Sequence, residues 1–94
     1  MKRFGNLSFE IINNQICAAQ YSSNSSDEIV DCCFFAIENI GIENDGNRVC
    51  FHVYNNSSDK KYYLKSRNSD NVNVFITECF KAIIAERTKL NITH

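Results

Sequence analysis

The clearest hydrophobic rhythm lies at the C-terminal end of the chain. Between residues 69 and 90, Val72, Phe75, Ile76, Cys79, Phe80, Ile83 and Leu90 recur at steps of three and four, and Arg87 continues the row. That period places them on one stripe of an α-helix. Asn73, Thr77, Glu78, Lys81 and Lys89 fall largely away from it. Ser69 or Asp70 is the expected N-cap, because a short side-chain oxygen accepts a bond from a free N–H of the first turn. Asp70 suits the positive end of the helix dipole, and Arg87 and Lys89 the negative end. No Gly or Pro interrupts the run, which at about 1.5 Å per residue spans about 33 Å. The stripe is expected to close the core, so Phe80→Ala is expected to cost about 3–5 kcal/mol. Ile84 and Leu90, at its edge, are where exposure to a partner would fall.

Upstream the period changes to two. Leu7, Phe9 and Ile11 alternate with Ser8 and Glu10, and Asn13-Asn14 marks a tight turn, since Asn tolerates positive φ. A second strand follows over 15–21, with Ile16 and Ala18 facing one way and Cys17, Ala19 and Tyr21 the other. After a polar loop at 22–27, the strongest turn signal is 43–47, centred on Asp45-Gly46. The strand 48–54 then alternates Val49, Phe51 and Val53 with Cys50, His52 and Tyr54. A polar turn at 55–59 leads to a shorter strand, 60–66, with Tyr62 and Leu64 opposite Lys61, Tyr63 and Lys65. Its lysines suit an edge strand, where charge discourages pairing with another chain.

The stretch 28–42 supports two readings. As a helix it has a capping box, Ser25 with Glu28, one apolar face and Gly41 as its stop. As a strand it is rich in β-formers and ends in a hairpin turn. The strand is preferred, because every connection is then a short polar turn. The expected fold is α+β: an antiparallel β-meander of four to five strands with one long C-terminal helix packed on one face. The alternative order is ββαβββα. In both, Cys50, His52, Tyr54 and Tyr63 face outward, an aromatic surface suited to a dimer or another partner unless the first hairpin folds over it.

Ninety-four residues, 44% of them hydrophobic, suit a single domain over 1–94. A net charge of −1 gives no overall pull toward nucleic acid or membrane. No apolar run approaches the roughly 18 residues of a membrane span. The basic start has no apolar stretch behind it, so no signal peptide is read and a cytoplasmic protein is expected. The odd number of cysteines, five, all inside apolar patterns, fits buried thiols in a reducing compartment. On that reading the Asn-x-Ser/Thr triplets at Asn6, Asn24, Asn55, Asn56 and Asn91 reflect heavy Asn and Ser usage rather than glycosylation.

No catalytic set stands out. The histidines are His52, inside a strand, and His94, at the terminus, so a nucleophile has little choice of base. Cys32-Cys33 with Cys50-x-His52 is the one constellation with zinc-ligand residue types, and adjacent strand cysteines point to opposite faces and chelate poorly. Three glycines make no phosphate loop. No metal or cofactor is expected. Charge is segregated instead: 27–45 holds six acids and no base, and 48–67 holds five bases against Asp59. The expected function is a non-catalytic cytosolic protein that inhibits a larger protein by direct occlusion, as toxin-immunity and phage anti-defence (anti-CRISPR) proteins do. Asp31, Glu38, Glu43, Asp45, His52, Tyr54 and Tyr63 are its expected partner-binding residues. The alternative is a small nucleic-acid-binding module in which Lys60, Lys61, Tyr62, Lys65 and Arg67 contact phosphates and stack bases.

Overall fold

The computed structural model describes residues 1–25, 27–54 and 59–92, with side chains as far as Lys89. The turn at 55–58, the Leu90 side chain and His94 therefore lie outside the described residues. Strands β1 (Lys2–Phe4), β2 (Leu7–Ile12), β3 (Gln15–Tyr21) and β4 (Ile29–Ala36) form one sheet, in that order. Strands β5 (Ile40–Asp45), β6 (Arg48–Tyr54) and β7 (Asp59–Lys65) form a second, and helix α1 covers Ser69–Ile92. Every strand pairs antiparallel with its chain neighbour inside its sheet. The fold is the expected α+β antiparallel meander with a C-terminal helix, but it has seven strands among the described residues rather than four to five, divided into two sheets.

The division falls inside 28–42. That stretch is strand, but a 3-10 turn at Ile37–Asn39 interrupts it. Ile37 drops into the core, its N–H donating to Asn14 O at 3.0 Å. Arg87, from the far end of α1, donates to Ile37 O at 2.6 Å. The break thus rests on partners remote in sequence. The helical capping box, Ser25 with Glu28, forms no helix here.

The inner faces of the two sheets and the helix share one core. Aromatic rings run through it in sequence: Phe4 on Phe9, Phe9 on Phe75 at 5.4 Å, Phe75 on Phe51, Phe51 on Phe35, and Phe35 on Tyr62. The chain of rings passes from the four-stranded sheet through α1 to β6 and back to β4 and β7. Edge-to-face pairs of this kind add to the area they bury. Around them Leu7, Ile16, Ile37, Val49, Leu64, Val72 and Cys79 are fully buried.

The helix differs from expectation in two places. Asn68, not Ser69 or Asp70, is the N-cap: its Oδ1 accepts the Asp70 N–H at 2.8 Å, and its carbonyl accepts the Asn71 N–H at 3.1 Å. Asn68 is held by buried Ser66, whose Oγ donates to Asn68 O and accepts its N–H. Phe80 is not a core residue; it is 44% exposed. The buried row is centred on Val72, Cys79 and Ile83, and Phe80 lies about 80° round the helix from that centre. The expected loss of about 3–5 kcal/mol therefore belongs to fully buried Phe75 rather than to Phe80. Ile84, at the edge of the stripe, is exposed. Among the described residues, no helix is long and apolar enough to cross a membrane.

Candidate functional site

The outward face of β5–β6–β7 gathers most of the residues singled out from the sequence. A two-residue turn, Gly46-Asn47, joins β5 to β6, with Gly46 at φ +69°, the region that favours glycine. The turn sets the register by pairing Asp45 with Arg48, Glu43 with Cys50, and Gly41 with His52. On the other side Arg48 pairs with Lys65, Cys50 with Tyr63, His52 with Lys61, and Tyr54 with Asp59. Residues opposite one another in an antiparallel pair share a face. Glu43, Asp45, His52, Tyr54 and Tyr63 therefore lie on one side of the sheet, while Ile42, Val49, Phe51 and Leu64 point into the core.

Aromatic groups on this face rest against charged or polar ones. The Arg48 guanidinium lies 4.2 Å above the Tyr63 ring and is bonded to the Asp45 carboxylate. Asp45 thus orients the cation that covers Tyr63. The Tyr54 ring packs at 4.1 Å on the His52 imidazole. Gly41 makes room for it: a Cβ there would come within 3.3 Å of the Tyr54 ring. His52 Nε2 is buried without a hydrogen bond among the described residues and lies 3.8 Å from the Asp59 carboxylate. Cys50 is buried in the middle of the patch, whereas Tyr54 and Tyr63 are 47% and 37% exposed. The first hairpin does not cover them.

Two of the expected contact residues lie elsewhere. Asp31 is on the inner side of β4, where its carboxylate accepts the Tyr62 hydroxyl across the gap between the sheets. That bond, then burial and the negative charge of Asp31, pushes the Tyr62 hydroxyl up to about 12. Glu38 sits exposed in the 3-10 turn. The alternative basic set is also divided. Lys61 and Lys65 point outward, Lys60 and Tyr62 have the opposite parity, and Arg67 lies beyond the strand. It makes no single stripe for a nucleic-acid strand. The residues that the sequence reading missed, Gly41 and Arg48, take their roles from cross-strand register. Counting outward from the Gly46-Asn47 turn was the signal for both.

Among the described residues no group of three or more His, Cys, Asp or Glu is placed to hold a metal ion. Cys32 and Cys33 occupy opposite faces of the four-stranded sheet, and Cys50 and His52 belong to the other sheet. All five cysteines are free. Cys33, Cys50 and Cys79 are buried, whereas Cys32 is exposed and Cys17 half-buried, so the expectation of five buried thiols holds for three. Burial, followed by the charge of Asp31, pushes the Cys33 thiol up to about 12. Burial raises Cys79 as well, and Cys17 is raised by burial and then by Glu10. These shifts disfavour the thiolate, the nucleophilic form. The chain matches no known protein family, and it matches no curated protein and no solved structure.

Proposed function

We propose that this chain is a non-catalytic binding protein that inhibits a larger protein by occluding it, in the manner of toxin-immunity or phage anti-defence (anti-CRISPR) proteins. The outer face of β5–β7 is its contact surface. One observation carries the reading: Glu43, Asp45, His52, Tyr54 and Tyr63, from three strands, lie side by side around a half-exposed aromatic centre. Tyrosine and arginine flanked by charge are the residue types that dominate protein interfaces. The face is of mixed charge, with Glu43, Asp45 and Asp59 beside Arg48, Lys61 and Lys65, which suits a partner of complementary charge pattern and fixes the register of contact. Five free thiols fit a reducing cytoplasm.

The test is affinity capture from cell lysate, treated with nuclease, using wild type, Tyr63→Ala, the Glu43→Lys/Asp45→Lys double variant, and Ile84→Ala on the helix. The reading expects one stoichiometric protein that wild type and Ile84→Ala retain and the two sheet variants lose, with all four melting alike. Equal capture by all four sinks it, as does capture that disappears with nuclease.

A further inference from the structure

We propose that the chain carries a second site, an anion-binding cleft where the end of β7 meets the turns at the ends of β1 and β3, which takes the phosphate group of a small phosphorylated molecule of nucleotide size. Two adjoining cavities, of about 580 and about 270 Å3, share Asn6, Ser22 and Arg67 in their walls. Lys65 lines the first, Arg3 the second, and Arg67 both. Among the described residues lining them there is no Asp or Glu. Three cations and no acid meet here in a chain whose net charge is −1.

The cations are held in place by their main chain. The Lys65 N–H donates to Gln20 Oε1 at 2.8 Å, and its carbonyl accepts Asn6 Nδ2 at 3.1 Å. The Arg67 N–H donates to Asn6 Oδ1 at 3.2 Å. These bonds fix the backbone of 65–67 to the four-stranded sheet and leave both side chains on the rim. Arg67 Nη2 reaches Ser22 O at 3.3 Å, which aims the guanidinium across the region the cavities share. Neither Lys65 nor Arg67 is in an ion pair among the described residues. Arg3 stacks on the Tyr21 ring at 3.8 Å, which sets the plane of its guanidinium.

A planar fork of N–H donors matches phosphate oxygens, and charged hydrogen bonds to them are the strong kind. The larger cavity is of the size that holds a small ligand. The remaining bases on β6 and β7 do not extend the cleft: Arg48 is bonded to Asp45 over Tyr63, and Lys60 and Lys61 lie at the far end of β7. The positive region is a pocket rather than a track, which favours a small ligand over a strand.

The full chain, isotope-labelled, is titrated with inorganic phosphate, with AMP and with a short thymidine oligonucleotide, and its amide signals are followed by NMR. Saturable shifts with AMP at Asn6, Ser22 and residues 65–67 are expected, with phosphate shifting the same signals. Arg67→Gln and Lys65→Gln each weaken AMP binding about tenfold, whereas Lys61→Gln leaves it unchanged. Both glutamine variants keep the main-chain bonds, and unchanged amide spectra without ligand verify their folds. Three results overturn the proposal: no saturable shift with either small probe, shifts that survive both substitutions, or binding of the oligonucleotide without AMP. None of them bears on the β5–β7 face, which is tested separately by capture.

Discussion

Strand β6 presents two different surfaces from alternate residues. Val49 and Phe51 face the helix and are fully buried, Phe51 meeting both Phe75 and Phe35. Arg48, His52 and Tyr54 face the other way, where rings lie against a guanidinium, an imidazole or a glycine instead of against other apolar groups. The two rows differ in composition, Val49, Phe51 and Val53 against Arg48, Cys50, His52 and Tyr54, and they differ in packing. On the inner row an aromatic ring is surrounded on every side and its removal leaves a hole. On the outer row a ring has one flank in water, so its loss removes a contact and leaves no cavity. Fold stability should therefore sit on one side of this strand and recognition on the other.

The strongest test compares the two rows directly. Phe51→Ala should cost about 3–5 kcal/mol, whereas Tyr63→Ala should cost about 0.5–1 kcal/mol, the worth of an exposed cation–π contact. Chemical denaturation of both variants measures the gap. Equal losses would mean that the outer row is core, and the proposed contact face would fall with it. The helix offers the same contrast in another element: Phe75→Ala should match Phe51→Ala, and Phe80→Ala should lie well below both.

That helix shows how far the sequence could be read. Its period, length and C-terminal charges were all legible, because they are local. The depth of Phe80 was not, since the edge of a buried stripe depends on where the sheets sit around it. Asn68 is not singled out as the cap by sequence, because its place depends on Ser66, buried just past the end of β7. The hairpin at Asn13-Asn14 is legible through turn chemistry, and both residues take positive φ, at 52° and 63°; the second hairpin is legible too, but its turn residues are Gly46-Asn47, one position beyond the expected Asp45-Gly46. The 3-10 break at Ile37 was not, because its partners, Asn14 and Arg87, come from a distant turn and the helix end. Five of the seven expected contact residues share a face because strict alternation carried them there. Asp31 does not, since its parity on β4 turns it inward to Tyr62.

A smaller effect concerns the turn that sets the register of the outer row. Gly46 has φ +69° and nothing within 4 Å of the position a Cβ would take. Gly46→Ala should therefore cost about 1–2 kcal/mol from backbone conformation alone. Gly46→Asn should cost less, because Asn enters the left-handed region more readily. Equal melting temperatures for wild type and Gly46→Ala would show that the turn does not hold the register, and Asp45 would lose its fixed place beside Arg48.

The smallest effect lies between the two sheets rather than on either face, and its pH dependence shows only in alkaline solution. The Tyr62 hydroxyl donates to Asp31, and its ionisation is pushed up to about 12 from an ordinary value near 10. The folded chain thus holds this proton more tightly than the unfolded chain does. The contribution is complete below about pH 10, declines as the unfolded chain begins to lose the proton, and is gone once the pH has passed about 12. Ultraviolet titration should show a late tyrosine step that belongs to Tyr62. In Asp31→Asn that late step should move down toward 10, because the negative charge is removed and the carboxylate acceptor becomes a neutral amide oxygen, while the melting temperature at pH 7 falls by the difference between a charged and a neutral hydrogen bond. If the late step stays where it was, the bond across the sheets is not what holds the proton. The other acceptor of the Tyr62 hydroxyl on β4, Cys32 O at 3.5 Å, would then be the group to test.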